Sequence, residues 1–206
     1  ADGQLPAEPT LLSRDIDGDV PSKPFGDASE FAFAPDGKSV YFDVRIAGTT
    51  EPWSTNFDLY RVPVDGSTAP ANLTADNNAW DAYPVPSPDG KTLYYLAMKT
   101  PGFEADRFAI MAMDLATGAK HEVDPRWDRS PGGLAISVDG KTLYATADDE
   151  GQHPLFAIDP ANGEVRSLSG AGDVNAFSVA AGKVLFARDD LKRPADLYLA
   201  RADGRG

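Results

Sequence analysis

Ser87-Pro88-Asp89-Gly90-Lys91-Thr92-Leu93-Tyr94-Tyr95 decides the fold, because the stretch recurs along the chain. Ala34-Pro35-Asp36-Gly37-Lys38-Ser39-Val40-Tyr41-Phe42 precedes it, and Ser137-Val138-Asp139-Gly140-Lys141-Thr142-Leu143-Tyr144 follows it. Ala180-Ala181-Gly182-Lys183-Val184-Leu185-Phe186 is a worn fourth copy. Asp-Gly supplies the positive-φ positions of a tight hairpin, and the alternating apolar and aromatic residues after the lysine read as a strand. The glycines at 37, 90, 140 and 182 give steps of 53, 50 and 42 residues. A strand-rich period of about 40 to 50 residues points to a β-propeller, one blade per repeat.

A second phrase keeps the same step. Phe57-Asp58-Leu59-Tyr60-Arg61-Val62-Pro63-Val64-Asp65-Gly66 is followed by Phe108-Ala109-Ile110-Met111-Ala112-Met113-Asp114-Leu115-Ala116-Thr117-Gly118. Leu155-Phe156-Ala157-Ile158-Asp159-Pro160-Ala161-Asn162-Gly163 and Asp196-Leu197-Tyr198-Leu199-Ala200-Arg201-Ala202-Asp203-Gly204 complete the series. Each is a strand closing on a glycine turn. The reading is all-β: four blades' worth of four-stranded antiparallel sheets in one segment covering residues 1–206. Residues 1–19 are expected to hold the outer strand of a preceding blade, near Thr10-Leu11-Leu12-Ser13. Blades follow at 28–74, 80–123 and 131–169, and a last one at 174–206 lacks its own outer strand. Ala1-Asp2-Gly3 matches the turn that ends the second phrase elsewhere.

The 206 residues include 42% hydrophobic and 25% charged, ordinary material for a globular domain. No apolar run approaches a membrane span, and no targeting segment is recognisable, which leaves cytoplasm or periplasm open. The absence of cysteine excludes disulfides and thiolate metal sites. A net charge of −13 argues against nucleic acid and against anionic membrane surfaces, since no basic stripe offsets phosphate repulsion. Much of the acid sits in turns, though the same field attracts cations such as a free peptide amino terminus. No cofactor is expected. Asp15-Ile16-Asp17-Gly18-Asp19 looks like the front of a calcium loop, but its glycine is one place early, so a turn is expected and no metal. His121 and His153 are the only histidines, and the repeat brings no serine to either. No Gly-x-Ser-x-Gly elbow exists, so no catalytic residue is assigned and the chain alone is expected to hydrolyse nothing.

Three stretches are more specific than the repeat: Asp19-Val20-Pro21-Ser22-Lys23-Pro24-Phe25-Gly26-Asp27, Trp53-Ser54-Thr55-Asn56-Phe57-Asp58-Leu59-Tyr60 and Lys99-Thr100-Pro101-Gly102-Phe103-Glu104-Ala105-Asp106-Arg107. With these the chain resembles the propeller of bacterial prolyl oligopeptidase-family serine peptidases, in the dipeptidyl peptidase and acylaminoacyl peptidase branch. The resemblance implies a fragment of a larger propeller whose parent is a hydrolase. It implies an α/β-hydrolase domain as the missing partner, short peptides as substrates, and a propeller that filters access and shapes specificity. It also implies that the loops joining second to third strands face that domain, which makes Glu104, Arg107 and Trp53 the candidate substrate contacts. A carboxylate can hold a peptide ammonium, and an arginine can fork onto a carbonyl. The alternatives are that Glu104 and Arg107 pair with each other, and that Trp53, Trp80 and Trp127 pack between blades.

The repeat phrase also occurs in Tol-type propellers, so a stand-alone protein-interaction scaffold is the second reading. An enzyme working from acids in a propeller channel is the third. Open strand edges and inter-blade faces make self-association an expectation in either of the first two cases.

Overall fold

The computed structural model of the chain describes residues 8–202. Four consecutive antiparallel sheets run along it. The first contains β1 (Phe31–Phe33), β2 (Ser39–Val44), β3 (Asp58–Pro63) and β4 (Ala71–Asn72). The second contains β5 (Asp81–Pro86), β6 (Thr92–Ala97), β7 (Ala109–Asp114) and β8 (Lys120–Glu122). The third contains β9 (Ala135–Ile136), β10 (Leu143–Thr146), β11 (Leu155–Ile158) and β12 (Val165–Ser167). The fourth has three strands among the described residues: β13 (Asp173–Ala180), β14 (Lys183–Asp190) and β15 (Arg193–Arg201). Every strand pairs with the next in sequence, so each sheet is a meander.

The repeated phrase makes the first hairpin of each sheet. Asp89 accepts from the Ser87 hydroxyl at 2.7 Å and the Lys91 N–H at 3.1 Å, while the Ser87 hydroxyl accepts the Thr92 N–H at 2.9 Å. The Ser137 copy repeats the pattern, with its hydroxyl 2.6 Å from Asp139. Gly90 closes the turn at φ +69°, a left-handed conformation that glycine adopts without steric cost.

The sheets stack face to face, and strand alternation sends successive side chains to opposite neighbours. Leu93, Tyr95 and Ala97 of β6 point back to Ala34, Tyr41 and Leu59 of the first sheet. Tyr94 and Leu96 of the same strand point forward to Leu143, Ala145, Phe156 and Ile158 of the third. Tyr144, Leu155 and Ala157 then meet Val174, Val184 and Phe186 of the fourth. The core is therefore a series of inter-sheet seams, each built by the same pattern.

The two ends of the stack differ. Thr10-Leu11-Leu12-Ser13, expected as an outer strand, lies in no strand. The segment is a strap: Leu12, Ile16 and Val20 pack on Phe42, Val44, Tyr60 and Val62, the outward face of the first sheet. Those three apolar residues are spaced by four, whereas one face of a strand needs a spacing of two. At the other end Leu185, Leu197 and Leu199 lie exposed on the outward face of the fourth sheet. The turns expected at Ala1-Asp2-Gly3 and Asp203-Gly204 lie outside the described residues.

Candidate functional site

In a meander the first and third hairpin turns share one end of the sheet, so the loops joining second to third strands share the other end with the inter-sheet connections. At that second end the stack is concave. A cavity of about 910 Å³ lies there, walled by the leading ends of the first strands. Asp27 and Ser29 enter from the 3-10 turn before β1, Tyr83 from β5, and Asp173, Asn175 and Phe177 from β13. The connection from β10 to β11 adds Asp148 and His153. The lining has three aspartates and no lysine or arginine, so the field inside favours cations.

The wall is fixed by polar contacts. His153 Nδ1 lies 2.9 Å from Asp148 Oδ1. His153 N–H donates to the Gly172 carbonyl, and its carbonyl accepts from Val174 N–H, which joins the third and fourth sheets at the rim. Asp27 accepts from the Ser29 N–H at 2.8 Å and hydroxyl at 2.5 Å, and these bonds hold its carboxyl below the usual range. Tyr83 sits at φ 57°, rare for a bulky residue. Burial foremost raises the Tyr83 phenol, with the Ser29 hydroxyl within hydrogen-bonding reach acting against it.

Trp53, Glu104 and Arg107 fall on the loop face but are not brought together as one binding group. Trp53 is 69% exposed at the end of a 3-10 turn, Gly48–Trp53. Its loop is clasped by Arg45, which donates to Glu51 at 2.9 Å and lies over the Phe57 ring at 5.4 Å. The neighbouring loop attaches through Gly102 N–H to the Thr55 hydroxyl at 2.9 Å, so the first two sheets present one continuous rim. Glu104 is exposed on that rim. Arg107 is turned inward: it donates to Glu122 at 2.5 Å and to the Trp127 carbonyl at 3.2 Å. Burial works to raise the Glu122 carboxyl, but the bonds from Arg107 and Lys99 outweigh it and hold the group below its usual range. Trp80 stacks on Phe57 with centroids 4.5 Å apart, across the first seam. Trp127 meets Phe156 edge-on at 5.2 Å, and so is a packing residue also. His121 is an exposed residue of β8.

The cavity wall is what sequence reasoning missed. Asp27, Asp148, Asp173 and His153 are scattered across 147 positions, counting both ends (27 to 173), and only stacking converges them. A signal was present for the aspartates: each lies near an end of a first or second strand, at the loop end of the repeat. Among the described residues no group of three or more His, Cys, Asp or Glu is placed to hold a metal ion.

Four sheets stacked by one repeating pattern about a concave axis define a β-propeller segment. No family model matches the sequence. The chain is 31% identical over 182 residues to dipeptidyl-peptidase 5 of Porphyromonas gingivalis, covering 87% of this chain and 26% of that protein. It is 34% identical over 175 residues to the probable dipeptidyl-peptidase 5 of Emericella nidulans, covering 80% and 24%. It thus spans about a quarter of the length of these curated relatives. Its fold is similar to the putative TolB from Agrobacterium tumefaciens, with TM-score 0.67, 19% identity, and coverage of 85% of this chain and 61% of that one. The β-propeller domain of the Trilobed protease from Pyrococcus furiosus gives TM-score 0.58 at 14% identity, covering 85% and 53%. The chain is thus a propeller segment whose named relatives are dipeptidyl-peptidases, and solved structures that share its fold include a prolyl endopeptidase and an acylaminoacyl peptidase.

Proposed function

We propose that this chain is the non-catalytic propeller wall of a prolyl oligopeptidase-like serine peptidase, filtering access and shaping specificity for short peptides. The observation that carries this is the acidic axial cavity opening on the same face as the rim of Trp53 and Glu104. A peptide entering by that face meets Asp27, Asp148 and Asp173, whose charge favours a free amino terminus. Trp53 offers an exposed aromatic face and Glu104 an exposed carboxylate, and Arg107 acts as a strut behind them. Acyl transfer is supplied by an α/β-hydrolase partner. Neither nucleic acid nor membrane takes part in this reading.

Calorimetric titration of the chain with a free-amino tripeptide and with its N-acetylated counterpart tests the reading. The free amine binds, more weakly as salt rises, and the acetylated peptide does not. Dipeptidyl and acylaminoacyl chromogenic substrates are not turned over. Equal binding of the two peptides removes the specificity role, and inhibitor-sensitive turnover by pure chain removes the non-catalytic one. The fold similarity to the putative TolB favours a second reading, a protein-interaction scaffold, which predicts binding to neither peptide.

A further inference from the structure

Asp43 lies six residues after Gly37, the place in its sheet that Leu96 holds six residues after Gly90. A carboxyl therefore enters a seam where the next sheet uses a leucine, and it is only 1% exposed. One oxygen, Oδ2, accepts the Tyr83 N–H at 3.0 Å across the seam. The other, Oδ1, receives no hydrogen bond. Glu30 lies within hydrogen-bonding reach of the same carboxyl. Glu30 in turn accepts from the Ser22 N–H at 2.6 Å and the Ser22 hydroxyl at 2.7 Å, and the Ser22 carbonyl accepts the Gly26 N–H at 2.7 Å.

At the far end of this line is Tyr83, held in the left-handed region where the β5–β6 register shifts between Ala82 and Val85. A bulky residue keeps such a backbone only when its surroundings fix it. The bond to Asp43 is a side-chain contact made directly to that backbone, and Tyr83 forms part of the axial cavity wall.

An ionised Asp43 beside Glu30, buried and with one oxygen empty, is a costly arrangement. A protonated Asp43 is a satisfied one, because its O–H donates to Glu30 while Oδ2 keeps the Tyr83 N–H. The groups that face Asp43 agree with this: Glu30 from the turn before β1, and Tyr83 and Asp81 from β5. Burial foremost, then the charge of Glu30, push the Asp43 carboxyl up to about 8, with Asp81 adding to the push and the Tyr83 N–H opposing it.

We propose that a protonated Asp43, bonded to the Tyr83 N–H and facing Glu30, forms a latch that fixes Tyr83 on the cavity wall and ties residues 22–30 to it. The latch is a property of the seam and stands whether or not peptides bind the cavity. Opening it exposes Asp43 to water, where the carboxyl loses its proton above its ordinary value of 3.8. Between pH 3.8 and about 8 each opening thus releases one proton, and above that range none. The opening constant rises about tenfold per pH unit inside that window and levels off beyond it.

Hydrogen exchange at the Tyr83 amide of the 206-residue chain, corrected for the intrinsic rate, reads this constant from pH 5 to 9. Between pH 5.5 and 7.5 the wild type shows a rise of about 100-fold. Asp43→Asn mimics the protonated acid, accepting from Tyr83 and donating to Glu30 without a proton to lose, so its rise is under about twofold. Asp81→Asn leaves the Tyr83 slope in place. Glu30→Gln, at the half-buried end, removes the neighbouring charge and moves the plateau to lower pH. A flat wild-type profile, a slope surviving in Asp43→Asn, or an unmoved plateau in Glu30→Gln each overturns the latch. If Asp43→Asn fails to fold by circular dichroism, the Glu30→Gln plateau decides alone.

Discussion

Arg107→Ala separates a strut from a substrate contact. The guanidinium donates to Glu122 at 2.5 Å and to two carbonyls, Trp127 at 3.2 Å and Phe108 at 3.4 Å. Its partner Glu122 is only 11% exposed, and the other cation on it, Lys99, is 69% exposed. Truncation therefore strips a largely buried carboxylate of its better-shielded partner and leaves two carbonyls to water. A charge-assisted bond of this kind is worth about 1.5–3 kcal/mol, and the 28% exposure of Arg107 argues for the middle of that span, about 2 kcal/mol. For a chain of about 200 residues that lowers the melting temperature by roughly 4–8 °C. Differential scanning calorimetry at neutral pH measures it, and Arg107→Lys recovers part of the loss, since it restores the charge but not the fork onto the carbonyls. Peptide titration on the same samples gives the second reading. An Arg107→Ala protein that melts within about 1 °C of wild type but no longer binds peptide refutes the strut and makes Arg107 a contact.

Asp81 predicts a pH effect. Burial foremost, opposed by bonds from Asn77 and Thr74 and aided by Asp58, raises its carboxyl from 3.8 to about 7. The unfolded chain then releases this proton first, so the Asp81 contribution to stability is greatest below pH 3.8, falls as pH rises to about 7, and is flat above. Urea unfolding free energies at pH 5 and pH 8 should differ by roughly 2–3 kcal/mol through this carboxyl, and Asp81→Asn should shrink the difference while Asp43 leaves a residue of it. An unchanged difference in Asp81→Asn contradicts the assignment. Ile16→Asp places a charge between the strap and Phe42, Val44, Tyr60 and Val62. It should peel the strap and expose that face, seen as increased dye binding and concentration-dependent association by light scattering. A monomeric variant without added dye binding means the strap covers nothing that matters.

The repeat was legible because hairpins and alternation are local. Asp-Gly turns at 37, 90 and 140 fix where strands reverse, and a period of two assigns each side chain to a face before any neighbour is known. That is enough for the four sheets and for residues such as Leu93 and Tyr95 in the seams. The strap was misread for a related reason. Thr10-Leu11-Leu12-Ser13 resembles the outer-strand phrase, but the choice between a ladder and a packed strap depends on which surface lies beside it.

The site was hidden for a different reason. Arg107 and Glu122 are fifteen positions apart and meet only because β7 and β8 pair in that register. Asp27, Asp148 and Asp173 belong to three sheets and share a cavity only once the stack curves. The sequence by itself determined the sheet, its repeat and the alternation that buries Leu93 and Leu96 in opposite seams, since these follow from turn chemistry and pleat over a few residues. Only the tertiary structure decided that Arg107 is engaged inward, that Trp53 is free, and that Asp43 faces Glu30 and Tyr83. Those outcomes depend on distances between segments tens of residues apart, which no local pattern encodes.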